Sequence, residues 1–183
     1  WPTLYPKFDK VPVKITNDQR AIQDVLAGTS STSKDIQELK LYDKAGKINR
    51  HCPLLDSIRV HLATKQRDGR RVLGKDLLDT FAAPPYGWDP NAVRVGLAAL
   101  VRAAAVRVII GGKTYTNPND RELVDCLRVS RQFDKAELVL EDEDIDPTVV
   151  TEVREFLIRL TRSRKIDETP AALSETAGNV ATN

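Results

Sequence analysis

The stretch from residue 89 to residue 116 constrains this chain more than any other. Asp89 and Pro90 open a helix, because an aspartate N-cap accepts free amides and a proline in the first turn needs no N–H partner. Val93, Gly96, Leu97, Leu100, Val101 and Ala104 then recur at helical spacing. The pattern changes directly to a strand in VRVII, breaks at Gly111-Gly112 and resumes in TYT. Paired glycines supply the positive φ angles that a two-residue hairpin turn requires. The reading is a helix that runs into a tight β-hairpin.

Two earlier helices complete a module. PLLDSIRVHLATKQ carries Pro53 in its first turn and an apolar stripe of Leu54, Leu55, Ile58, Leu62 and Ala63. RDGRRVL reads as a turn into a short strand, and GKDLLDTF as a helix with Leu77, Leu78 and Phe81 inward. Helix, short strand, helix, turn, helix and hairpin is the element order of a winged helix. The expected fold is mostly α with minor β. A winged-helix-like domain spans 53–118, after an extended and helical N-terminal segment over 1–52. A helical extension follows over 119–165, then a linker or frayed tail over 166–183.

Within the N-terminal segment, WPTLYPKFDKVPVKIT reads as a packed extended lead-in with Tyr5 and Phe8 as anchors. Thr16 or Asn17 caps a helix that buries Ala21, Ile22, Val25 and Leu26 and ends at Gly28. Ser33 caps a short helix, and DKAGKIN is a turn. Beyond the hairpin, NDRELVDCLRVSRQF reads as one helix with Leu123, Val124, Leu127 and Phe133 on one side. TVVTEVREFLIRLTRSRK follows the acidic break with Val149, Val150, Val153, Phe156, Leu157 and Leu160 as its stripe.

Apparent catalytic and metal motifs have structural readings. GGKT at 111–114 lacks the first glycine of a phosphate loop, since Arg107 stands there, and it opens no helix. EDEDID at 141–146 lacks the glycine and distant glutamate of a calcium loop, so it reads as a solvated connector. Cys52 and Cys126 form no zinc spacing with His51 and His61, and two cysteines far apart in sequence suit a reduced cytoplasmic protein. No apolar run reaches the roughly 20 residues of a membrane span. The absence of any methionine suggests a piece of a longer protein. No cofactor, metal or membrane partner is expected.

A net charge of +2, from 28 basic and 26 acidic residues, argues against bulk polycation binding. The local pattern is more informative. Lys65, Arg67, Arg70, Arg71 and Lys75 lie between the first two helices of the module, and Arg94, Arg102 and Lys113 lie on or near its third helix and wing. These are candidates for DNA-backbone contact. The expected outer face of the third helix is Asn91, Arg94, Val95, Ala98 and Arg102, which is poor in base-reading side chains. The alternative is a protein-docking or self-association module with no nucleic-acid binding, using that face and the Tyr86/Trp88 turn.

GKDLLDTF, then PYGWDPNAVRVGLAALVRA, then a short hairpin resembles the C-terminal half of the large P-loop ATPases of bacteriophage-exclusion (BREX) systems, the BrxC and PglY proteins. The LYPKF lead-in extends the resemblance over most of residues 1 to 160. The resemblance implies a bacterial, cytoplasmic role in phage defence, with ATP bound and hydrolysed elsewhere in the parent chain. Pro85, Tyr86, Gly87 and Trp88 match the family motif and are read as a structural turn. No catalytic residue carries over, so the module is expected to be non-catalytic, contacting DNA through phosphates, other defence proteins or itself.

Overall fold

The computed structural model describes residues 4–29, 33–49, 51–141 and 154–159. After a 3-10 turn at Phe8–Lys10 come α1 (Asp18–Ala27), α2 (Lys34–Glu38) and α3 (Pro53–Arg67). Then follow β1 (Val72–Leu73), α4 (Gly74–Ala82), α5 (Pro90–Arg102), β2 (Val106–Ile110) and β3 (Lys113–Tyr115). The remaining named elements are α6 (Arg121–Arg128), α7 (Ser130–Phe133) and β4 (Glu137–Leu140).

The predicted starts hold. Asn17 accepts from the Arg20 amide at 3.2 Å, and Asp89 accepts from the Asn91 amide at 3.0 Å. The second Asp89 oxygen takes the Ile15 amide at 2.7 Å, so the cap of α5 also pins the lead-in. Gly111 and Gly112 adopt φ of 57° and 86°, as the hairpin demands.

The sheet is antiparallel throughout, in the order β1-β4-β2-β3. Its register aligns Val72, Leu138, Val108 and Tyr115 in one transverse row, and all four are buried. Successive strand residues face opposite sides, so this row and the Val106–Leu140 pair two residues along are the sheet's contribution to the core. β4 differs from the helical extension that the sequence pattern predicts over 119–165. ELVL is four residues long and directly precedes the acidic run, so the expected helical extension is interrupted by a strand inserted between β1 and the wing.

One apolar cluster runs from Val11 to Leu140. The boundaries at 52/53 and 118/119 therefore do not separate independent cores. Further differences are local. Ala63 and Phe8 are exposed, and Lys7 rather than Phe8 fastens the lead-in. The single helix expected over 119–133 is divided into α6 and α7 by an extended Val129. Residues 154–159 are helical with Leu157 buried, but Phe156 faces solvent; Val149, Val150, Val153 and Leu160 lie outside the described residues, as do 166–183.

Candidate functional site: a winged helix with a covered third helix

In a DNA-reading winged helix the third helix of the module lies open to the major groove. Here that helix is α5, and every residue from Ala92 through Val101 is buried. α1 accounts for this: its apolar face of Ala21, Ile22, Val25 and Leu26 packs along α5, while α3 and α4 also pack against α5. Val95 and Ala98, expected on the outer face, have no exposure and lie in the core.

Arg94 is only 2% exposed. Its guanidinium donates to Asp18 of α1 at 2.8 Å, to the Ser130 hydroxyl at 3.1 Å and to the Leu127 carbonyl. Burial pulls its pKa below the usual arginine value, and the Asp18 carboxylate opposes that shift. Arg102 donates to the Leu26 carbonyl at 2.6 Å, at the far end of α1. Both arginines thus fasten the cover onto α5. The expectation that Arg94 contacts phosphate is corrected, because no phosphate can reach a buried guanidinium whose protein partners replace water. Arg102 is half-buried and turned toward α1 in the same way.

The remaining candidate cations divide into two groups. Lys113 lies on β3, its ammonium 4.9 Å from the Tyr115 ring centroid and 4.0 Å from Glu122. Lys65, Arg67, Arg70, Arg71 and Lys75 belong to the α3–β1–α4 corner at the opposite edge of the sheet. Three strand spacings, about 14 Å, separate the two edges. All five are exposed except Lys65, which is half-buried, and Arg71 lies 3.8 Å from Glu137. A depression of about 220 Å³ beside this corner is lined by Gln66, Arg70, Arg71 and Glu137 among others. It is smaller than the roughly 300–1,000 Å³ of most ligand pockets.

The PYGW turn joins three parts of the chain. Phe81 and Trp88 stack at 5.2 Å, and Tyr86 meets both rings edge-on at 4.7 and 4.8 Å. The Trp88 indole donates to the Lys7 carbonyl at 2.9 Å, and the Lys7 amide donates to the Pro85 carbonyl at 3.0 Å. Gly87 is needed because a Cβ there would come within 2.7 Å of the Tyr5 ring. The turn therefore docks the lead-in as well as holding α4 to α5.

This arrangement matches a known family. The family described as the BREX ATP-binding protein BrxC winged helix-turn-helix domain matches residues 11–142. The chain belongs to that family. The matched span takes in α1, the α6–α7 pair and β4 as well as the α3-to-wing module. No curated protein and no solved structure matches the chain.

Among the described residues of this BrxC domain, reactive groups do not converge. Burial pushes the Cys126 thiol up to about 11, despite the opposing charge of Arg94. Burial also raises Cys52, whose Sγ donates to the Leu39 carbonyl at 3.2 Å. Thiols held protonated are poor nucleophiles. His61 packs edge-on to Phe81 at 5.7 Å, and burial lowers its pKa. Among the described residues, no three His, Cys, Asp or Glu side chains are grouped to hold a metal, and no helix is long and apolar enough to cross a membrane.

Proposed function

We propose that this chain is a non-catalytic docking module of a BREX phage-defence ATPase, whose nucleotide site lies elsewhere in the parent protein. It contacts DNA phosphates or partner proteins from its rim, and α5 serves as an internal strut. The unbroken burial of α5 from Ala92 to Val101 supports this reading more than any other observation. A strut under a covering helix presents no side chains to base edges, so sequence discrimination is lost while backbone contact stays open.

Fluorescence anisotropy with two labelled duplexes of unrelated sequence and equal length tests the reading. Equal affinities within about twofold are expected. A tenfold preference for one duplex, about 1.4 kcal/mol, would mean that bases are read and would overturn the strut assignment.

A further inference from the structure

We propose that the α3–β1–α4 corner is a phosphate-tracking surface for duplex nucleic acid, displaced from the helix that a winged helix ordinarily uses. This rests on the rim-contact reading above and commits it to one place and one partner. Residues 65–75 hold five cations, Lys65, Arg67, Arg70, Arg71 and Lys75, against the single anion Asp68, in a chain whose whole net charge is +2. Counting Asp76, next in sequence, and Glu137, 3.8 Å from Arg71, the corner still carries five cations against three anions.

Its geometry is fixed by backbone hydrogen bonds. The Gly69 amide donates to the Gln66 carbonyl at 3.0 Å and the Arg70 amide to the Lys65 carbonyl at 2.9 Å, closing α3 in a Schellman turn. The Gln66 side chain then bonds both backbone groups of Leu140, at 3.2 and 3.1 Å, so the end of α3 is held to the sheet. The cations thus stand on a rigid corner.

Helix electrostatics explain only part of the cluster. Lys65 and Arg67 complement the negative C-terminal end of α3. Arg70 and Arg71 lie beyond that end. Lys75 sits in the first turn of α4, where a cation opposes the helix dipole. Asp76 in the same turn offsets Lys75, and Glu137 lies 3.8 Å from Arg71. Arg70 and Arg67 have no such internal role beyond the helix end, and together the exposed cations fit an external polyanion. The first amides of α4 are already used, by the carbonyls of Ala136 at 2.9 Å and Asp134 at 3.3 Å, so the side chains supply the contact. The spread of the cations over two helix ends and the turn between them suits successive phosphates of one backbone.

The test is the salt dependence of binding to a duplex of about 20 base pairs by the full chain. Five phosphate contacts give a slope of log K against log salt of about −4.5, and Arg70→Ala/Arg71→Ala lowers it to about −2.7. Lys113→Ala, at the far edge, leaves the slope unchanged. Circular dichroism checks that each variant is folded. No duplex binding at low salt, or an unchanged slope in the double variant, overturns the proposal. So does polyglutamate of matched charge competing as well as duplex, since the partner would then be an acidic protein surface. Any of these failures leaves the strut reading of α5 intact, whereas base discrimination would overturn that reading alone.

Discussion

Removing the Asp18 carboxylate tests the covering of α5 most directly. Asp18→Ala leaves the Arg94 guanidinium buried with the Leu127 carbonyl and Ser130 hydroxyl but without its bonded counter-charge, with only the more distant Asp134 carboxylate left to oppose burial. The Arg94 Nε is already buried without a partner, so little is in reserve. Breaking a fully buried ion pair from one side costs about 3–5 kcal/mol. The Asp18 side chain is 24% exposed, so water screens part of the pair and the expected loss is about 2 kcal/mol. A loss of that size lowers the melting temperature by roughly 4–8 °C in a chain of this length. Asp18 also sits in the first turn of α1, where its charge favours the helix dipole by about 0.3–1 kcal/mol. A double-mutant cycle with Arg94→Met separates the two effects, because in that background Asp18→Ala loses only the helix-dipole part and the difference between backgrounds is the pairwise part. Urea unfolding of the four proteins should give a coupling of at least 1 kcal/mol with unchanged m values. Additive losses within about 0.5 kcal/mol would show that Arg94 does not depend on α1, and the account of the cover would fail.

Two further outcomes are expected. In Gly96→Ala the new Cβ would meet Leu54 Cδ2 at 2.7 Å, where α3 crosses α5, so overpacking should destabilise the fold by about 1–3 kcal/mol; urea stability within about 0.5 kcal/mol of the parent would mean the two helices can separate freely. The His61 pKa is lowered by burial first and by Lys65 second, with Asp76 opposing, so protons favour the unfolded chain and this contribution is full above about pH 6.5 and declines as pH falls through the folded pKa. His61→Gln should therefore flatten the melting temperature between roughly pH 7.5 and 5.5, and an equal slope in both proteins would refute the assignment.

The sequence made the module legible where one residue type has one physical use. Asp89-Pro90 could only start a helix well, and Gly111-Gly112 between two β-branched runs could only turn tightly. The family resemblance was carried by PYGW, whose rings and glycine do meet one another and the lead-in. The surface of α5 was not legible. A period of apolar residues identifies one buried face, but Val95, Ala98 and Arg94 also suit a weakly polar exposed face, and only the approach of α1 decides between them. An arginine in sequence carries no mark of whether a carboxylate 76 positions away will claim it. β4 was missed for a similar reason: four residues are too few for a period, and the pairing that stabilises them comes from strands about 30 and 65 residues earlier.

The place of β4 between β1 and the wing affects the order in which the chain can be completed. On a ribosome, the three helices and the hairpin emerge first, yet Val72 and Val108 have no common neighbour until Leu138 arrives between them. Until then one edge of β2 is unpaired, an invitation to pair with another nascent chain. Synthesis must therefore pass residue 140 before the sheet closes, and any shorter segment carrying only helices and hairpin would leave its central gap unfilled.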